Sequence, residues 1–416
     1  MVYNVYKRFT QTQYETQLFA EGFLGGSTKT RTIARKCQID KICQSVILRQ
    51  VTVVKGLSGL DQGYHDMGPG AGEYLALTGP VFPEESEGEA PNMMAYLMEL
   101  TNVESDDGEQ LSRLLDWMAD AYTRRKAVNR GQHRALLIAG PASSGKGLLK
   151  DIIATLLGGR HRATNASKYL LGKTEFNGEW MKADLLYLDD AVGDGKMATK
   201  IQTADAIKGV VAGGAVQHIH GKNKEGVDMP VWWRLIVCLN DTEEVLATLP
   251  PLIRGFDDKW VMIQAHQTLL SDDGDQTAVV NRIMDEIPVL ARMLFVRPKP
   301  EDRFDGRGPK SWIAPSLRDK LLASSPETEL LDILIRARDG GVYDNHCNPI
   351  KLGESSRDNL HNLLVTNVGS TYINLCRTGR ALGNYLRRLE EHGWISSRLK
   401  DGYTIWSWTD ARHSGK

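Results

Sequence analysis

The chain has 416 residues, 41% of them hydrophobic and 25% charged, with a formal net charge of -1. That length points to two or three domains with a sizeable buried core. No apolar run approaches the roughly 20 residues that span a bilayer, and the N-terminus carries neither a signal peptide nor an arginine-rich leader. A near-neutral total does not exclude a nucleic-acid partner, because a recessed ring of lysines is enough to bind one. The five cysteines, Cys37, Cys43, Cys238, Cys347 and Cys376, form no CxxC pair and no zinc spacing with histidines. An odd, scattered set reads as reduced thiols in a cytoplasmic protein.

Residues 1–90 offer little periodicity beyond a strand over 46–54 and short strands and turns over 63–83. An acidic, proline-containing stretch at 83–92 is a natural boundary. Helical spacing then begins, over 93–101 and again over 109–125, with Leu111, Leu114, Leu115 and Met118 on one side. This is a helical collar at 91–130, with packing alone as probable a purpose as any active role.

From 131 to about 265 strand-like and helix-like segments alternate, the mark of an α/β core. The apolar run Ala135 to Ala139 leads into Gly140-Pro141-Ala142-Ser143-Ser144-Gly145-Lys146-Gly147, and helical spacing continues from Leu148. Strand, glycine-rich turn and helix are the context of a phosphate-binding loop: converging backbone N–H groups, a helix N-terminus and a mobile lysine. The alternative is an ordinary Gly/Ser turn before a helix. One letter departs from the standard pattern. Gly147 stands where a Ser or Thr hydroxyl would reach magnesium.

About forty residues on, Asp184-Leu185-Leu186-Tyr187-Leu188-Asp189-Asp190 reads as a buried parallel strand with acids at its C-terminal end. In an ATPase, Asp189 holds Mg2+, directly or through water, and Asp190 orients and deprotonates the attacking water. As a lone motif it is equally a solvated strand end. Residues 204–211 look helical. Residues 216–226 then suggest a β-hairpin presenting Lys222 and Lys224, with His218 and His220 nearby, though such a tip is more often a solvated turn. The strand over 231–240 ends at Asn240, an amide able to bridge a nucleophilic water and a γ-phosphate, or simply to cap the strand. Arg254, in a Pro/Gly-rich segment, can reach a neighbouring subunit's phosphoryl group; a surface ion pair is the other reading.

Past 266 come a polar loop, a helix over 278–295, and a charged stretch at 297–311 that reads as a linker or exposed loop with a basic excess. Residues 315–336 read as helical again. At the end, a helix over 382–393 and an aromatic-rich hairpin over 394–408 with an Asp-Gly turn have the layout of a winged helix. Arg377, Arg380, Arg387, Arg388, Arg398 and Lys400 could meet phosphates there, or the wing could serve protein contact.

Loop, carboxylate strand, basic hairpin, Asn-ended strand and arginine follow one another within about 120 residues. That order resembles the superfamily 3 helicases, and more closely the helicase portion of phage and plasmid primase-helicase proteins, of the D5-like and DUF5906-like kind. Phe176-Asn177 before the carboxylate strand, Lys208 with Gly213-Gly214, and Lys222 before the Asn240 strand belong to the likeness, which covers roughly residues 90–295. Gly after the loop lysine is common in that branch, so Gly147 reads as a subfamily trait. The resemblance implies an AAA+-like P-loop ATPase core with a parallel sheet at 131–300, a helical collar before it and a C-terminal winged-helix-like domain at 301–416 that binds DNA or protein. It implies a ring, a hexamer by expectation, that uses ATP and Mg2+ to translocate on single-stranded or forked DNA in a bacterial or phage-infected cell. Residues Gly140 to Leu148 hold the nucleotide; Lys146, Asp189, Asp190, Asn240 and a trans-acting Arg254 carry the chemistry. Lys222, with His220 or Lys224, becomes the pore hairpin, and Arg387, Arg388 and Arg398 become further DNA contacts. Two departures stand out: Arg254 lacks the paired arginine common in the family, and no polymerase-primase domain precedes the core, leaving 1–90 as an accessory piece that could dock a separate primase. A ring motor working on another substrate (packaging or remodelling) and a nucleotide- and DNA-binding clamp without turnover remain open alternatives.

Overall fold

The computed structural model describes residues 51–336 and 357–408, apart from 55, 67–72, 128–130, 160–163, 190–196, 213–215, 223–225, 231–232, 251–256, 269–274, 324–325, 370–371, 374–375, 377, 392–394 and 401–402. The chain divides into two compact units, residues 1–57 with 61–79, and residues 58–60 with 80–416. In the first, β1 (Val51–Val54), β2 (Gly63–Asp66) and β3 (Glu73–Ala76) form a sheet in the order β1-β3-β2, β1 parallel and β2 antiparallel to β3.

In the second unit two helices lead into the sheet. α1 (Pro91–Thr101) ends at Asn102, whose left-handed backbone (φ 48) closes the helix. α2 (Glu109–Lys126) buries Leu114, Leu115 and Met118 as the spacing predicts, and its Trp117 donates to the Arg134 carbonyl at 2.8 Å, fixing the helix to the first strand.

The core strands are β4 (Ala135–Gly140), β5 (Thr164–Asn165), β6 (Leu185–Asp189), β9 (Arg234–Asn240), β10 (Trp260–Gln264) and β13 (Trp312–Ile313). They lie in the order β13-β10-β4-β9-β6-β5, every neighbouring pair parallel. β4 is buried at every position and β9 at all but its last, as a parallel sheet covered on both faces demands. Helix α3 (Lys146–Leu156) makes the first crossover, the short α4 (Ser167–Leu170) follows β5, and α5 (Met197–Ala212) follows β6. The first strand in the chain thus sits between the fourth and the fifth. That is a topological switch point, and its crevice opens at the strands' carboxyl ends. The fold is the expected α/β P-loop core.

Between α5 and β9, β7 (Val216–Ile219) and β8 (Val227–Pro230) form a separate antiparallel hairpin. The short α6 (Glu243–Leu246) follows β9.

Two expectations need correction. The helix predicted over 278–295 is two, α7 (Gln276–Asp285) and α8 (Ile287–Phe295). Pro288 in the second helix's first turn has no N–H to continue the first. The break also places Glu286, whose carboxylate accepts from the backbone N–H groups of Asn92 (3.2 Å) and Met93 (2.7 Å) at the start of α1. The stretch 315–336 is helical as expected, in two pieces, α9 (Pro315–Ala323) and α10 (Pro326–Arg336), the second opening on a proline.

The charged stretch at 297–311 is no free linker. It forms the short hairpin β11 (Phe304–Asp305) and β12 (Gly308–Pro309), and its cations are committed inward. Arg297 (2.7 Å) and Arg303 (3.4 Å) pair with Asp116, and Lys299 approaches Asp120 at 3.9 Å. Asp116 and Asp120 are buried on α2, where a carboxylate without cations is costly. The sheet itself runs past residue 300, since β13 pairs with β10.

The C-terminal elements α10, α11 (Arg357–Val368), α12 (Gly379–Glu391), β14 (Ile395–Lys400) and β15 (Tyr403–Trp408) surround a hydrophobic cluster of their own. The antiparallel hairpin β14–β15 completes a winged-helix layout.

Candidate functional site

β4 ends at Gly140, where a Cβ would fall 2.4 Å from the Ala265 carbonyl oxygen, so only glycine lets the loop leave beside β10. The loop then turns through Ser143 (φ 60) and Gly145 (φ 91) into α3. A left-handed serine stores local strain, a common trait of ligand-binding turns. Gly145 caps α3 with no side-chain hydrogen bond, and the first turn holds no acid. The N–H groups of Lys146, Gly147 and Leu148 therefore lack an intrahelical acceptor and suit an anion. These are the donors a nucleotide's phosphates require.

Lys146 is buried, and its Nζ donates to the carbonyls of Gly140 (2.9 Å) and Pro141 (2.6 Å), to Ser144 Oγ (3.2 Å) and to Asn240 Oδ1 (3.5 Å). The loop lysine and the strand-end amide, 94 residues apart, meet here. Register explains it: Gly140 lies opposite Asn240 on the neighbouring strand. Asp189 lies opposite Cys238 on the far side of β9, exposed at its strand end. With adjacent strands about 4.8 Å apart, Asp189 stands about 10 Å from the β4 line, room for a phosphate and its cation between.

The donor set fits Mg2+ only sparingly. Asp189 is the exposed carboxylate at the crevice, and Ser143 is the exposed hydroxyl of the loop, Ser144 being buried against Lys146. A Cβ on Gly147 would meet no described atom within 4 Å, so packing does not forbid a longer residue there. Asp190 and Arg254 lie outside the described residues.

Several residues about the loop carry no sequence motif. Tyr96 on α1 donates its hydroxyl to the Gly145 carbonyl at 2.9 Å, with its ring close against Gly145, and burial pushes its pKa well up. Beside Asn240, the Asp241 carboxylate accepts from Gln264 Nε2 (3.0 Å) and Lys320 Nζ (2.5 Å). Burial alone would raise Asp241; the Lys320 and Gln264 hydrogen bonds outweigh it and hold the carboxyl below its ordinary range. Tyr96 looks like one more core aromatic in its helix, and Lys320 lies 80 residues from its partner's motif, so neither was legible.

Among the described residues, Asn177 ties the hairpin to the segment that leads into β6. Asn177, buried, donates Nδ2 to the His218 carbonyl (3.0 Å) and accepts from the His220 N–H at Oδ1 (2.7 Å). Its own N–H donates to the His220 carbonyl at 3.0 Å. An amide can satisfy a strand edge in this way, giving and taking as a backbone would. Phe176, exposed, sets its ring against His220 at 5.3 Å, and Lys222 is exposed at the tip. His218 approaches Asp228 at 2.8 Å. Lys224 lies outside the described residues. At the far end of the chain, Arg387 and Arg398 are exposed, and Arg388 is half-buried over the Tyr385 ring.

Residues 138–250 match the profile of DUF5906, a family of unknown function. The DUF5906 segment contains the loop lysine, Asp189, the hairpin and Asn240; Arg254 and the C-terminal arginines lie beyond it. By sequence, no curated protein matches the chain. Among solved structures, the chain is similar to the ligand-free C-terminal region of NrS-1, 13% identical over 84% of each chain with a TM-score of 0.49. JCV helicase is 15% identical over 58% of this chain and 68% of its own, with a TM-score of 0.29. The SCCmec type IV Cch active helicase is 10% identical over 96% of this chain and 86% of its own, with a TM-score of 0.32. No described helix is long and apolar enough to cross a membrane.

Proposed function

We propose that the chain is an ATP-dependent DNA helicase that moves on single-stranded DNA as a ring, a hexamer by its family likeness. The observation that carries this is the meeting of Lys146 and Asn240 at the head of a parallel sheet, with a lysine-tipped hairpin tied by Asn177 to the segment that leads into Asp189. Lys146 neutralises charge on the terminal phosphates, and Asn240, beside it, hydrogen-bonds there without adding negative charge. Asp189 would hold Mg2+, which when bound would supply further charge neutralisation at the phosphates. Asp190 is the base for the attacking water, Arg254 the finger given to a neighbour, and Gly140 to Leu148 the cradle. His220, Lys222 and Lys224 grip the strand backbone in the ring's channel, and Arg387, Arg388 and Arg398 add contacts outside it. A separate primase and a cytoplasmic setting go with this reading.

Gly147 favours a second reading, a clamp that binds nucleotide and DNA without turnover. Fork-DNA unwinding with ATP and Mg2+, measured beside phosphate release and particle size, separates the two. Unwinding that Lys146→Ala abolishes supports the helicase; nucleotide-dependent DNA binding without phosphate release supports the clamp. Unwinding by Lys146→Ala at the wild-type rate would remove the phosphate-loop assignment altogether.

A further inference from the structure

The helical collar reaches the phosphate loop at both of its ends, each time through buried polar groups. At the helix end, the Gly145 carbonyl accepts from the Leu149 N–H (3.2 Å), the first bond of α3, and from the Tyr96 hydroxyl of α1 (2.9 Å). The peptide joining Gly145 to Lys146 is planar and trans, so its carbonyl and its N–H point in opposite directions. A carbonyl held towards α1 therefore aims the Lys146 N–H back into the loop, where the anion-binding donors converge. Tyr96 Cε2 stands 3.0 Å from the place of a Gly145 Cβ, so the ring backs the same peptide.

At the strand end the hold is longer. Thr101, the last residue of α1, offers its carbonyl to Gln110 Nε2 on α2 (3.1 Å). Gln110 Oε1 accepts from the Gln264 N–H on β10 (2.9 Å), and Gln264 Nε2 donates to the Asp241 carboxylate (3.0 Å). The Asp241 N–H donates in turn to the Gly140 carbonyl (3.2 Å), the same oxygen that Lys146 Nζ meets. Beside this chain, His266 N–H donates to the Leu100 carbonyl at 2.8 Å, fixing the exit of β10 to α1. Thr101, Gln110 and Gln264 are all buried. Packing alone is served by apolar side chains, whereas a buried run of linked polar groups fixes a geometry.

We infer that the collar is a working part of the nucleotide site and that its two holds serve different phosphates. Tyr96 is a positioning residue for the N–H donors at the start of α3, which any nucleotide diphosphate or triphosphate would use. Gln110 is a positioning residue for the end of β9, where Asn240 and Lys146 meet and where only a terminal phosphate would reach. The collar thus discriminates nothing itself, but its two contacts separate diphosphate binding from recognition of the third phosphate. This rests on the reading of the loop as a nucleotide site.

The test is titration of the full-length protein with ADP and with a slowly hydrolysed thio-analogue of ATP, beside phosphate release and thermal midpoints. Tyr96→Phe leaves the Gly145 carbonyl its bond from Leu149, so the variant should fold. It should bind both nucleotides about three- to tenfold more weakly, the worth of one hydrogen bond, and so raise KM more than it lowers kcat. Gln110→Met should keep ADP affinity within about twofold while binding of the analogue, or phosphate release, falls about tenfold or more through misplacement of Asn240. If Gln110→Met does not fold, Tyr96→Phe decides alone. Wild-type affinity for ADP in Tyr96→Phe would overturn the inference. So would an equal loss for both nucleotides in both variants, the mark of a general slackening. Lys146→Ala is the control. If it abolishes nucleotide binding while the collar variants are silent, only this inference falls; if it binds ADP as the wild type does, the nucleotide reading of the loop falls with it.

Discussion

At the scale of single residues, the phosphate loop shows what a motif does and does not disclose. Gly140, Gly145 and Lys146 were legible because each is required by backbone geometry or charge. Tyr96, which fixes the loop from α1, was not, since a buried tyrosine in an amphipathic helix announces nothing. Gly147 invites a direct test. Its Cβ direction is open, so Gly147→Thr should fold and, by adding the hydroxyl, lower the Mg2+ concentration that half-saturates phosphate release by a few-fold. An unchanged magnesium dependence with wild-type stability would show that the position does not face the metal. A second residue prediction concerns acid. His133 is buried, and burial, with the nearby Arg234 and Arg124 guanidinium groups, drives its pKa well below 6.5. The unfolded chain then takes up a proton that the native state refuses, so stability should fall as pH drops below about 6.5, by up to ~1.4 kcal/mol per pH unit. His266 is lowered in the same direction, chiefly by burial, so His133→Gln should flatten this slope only in part. Asp305, held to about 2 by its hydrogen bond from Arg134, acts in a separate window, its contribution fading as pH falls from about 4 towards 2. Urea midpoints between pH 7.5 and 5.5 decide; an equal slope in wild type and variant would rule the histidine out.

Among the elements, most helices and strands announced themselves by period, and the errors came from what periodicity ignores. Apolar spacing runs unbroken through Glu286 and Pro288, yet the missing N–H ends one helix and begins another. The basic stretch after 296 looked like linker because its partners, Asp116 and Asp120, lie about 180 residues earlier on α2. The hairpin was visible as alternation, but its attachment was not, because one asparagine reads like any polar loop residue. That attachment carries a prediction. Asn177 is a positioning residue: its hydrogen bonds go to the hairpin backbone at His218 and His220 and order the hairpin against the segment entering β6. Asn177→Ala leaves the His218 carbonyl and His220 N–H without their partner, a loss of about 1–3 kcal/mol confined to the joint. The expected result is a fall of tenfold or more in the stimulation of phosphate release by single-stranded DNA, with nucleotide affinity retained, and a partial return in Asn177→Gln. A variant that keeps full stimulation would mean the joint is packing only. One that loses nucleotide affinity in equal measure would mean the lesion is general.

For the whole molecule, strand order does what no local signal could. Loop, carboxylate and amide are spread over about a hundred residues of the chain, and only the placement of β4 between β10 and β9 gathers them at one crevice. The sequence order of the motifs pointed to that arrangement without proving it, because spacing does not determine which strands are neighbours. The proposal also calls for a cation given from outside the crevice, and Arg254 is the candidate donated by a neighbouring subunit. Two inactive variants test this together. In Lys146→Ala every subunit still offers Arg254, and in Arg254→Ala every subunit still has its loop lysine. If sites are completed across subunit boundaries, an equal mixture that exchanges subunits freely rebuilds both parts at about one interface in four. Phosphate release should then rise from near zero to a sizeable fraction of wild type, and it should do so only at concentrations where the ring forms. If each subunit completes its own site, no mixture of two dead proteins recovers activity. A flat zero across all ratios, with mixed rings confirmed by sizing and by differently tagged subunits, would therefore place the arginine on its own subunit's site or remove it from the chemistry.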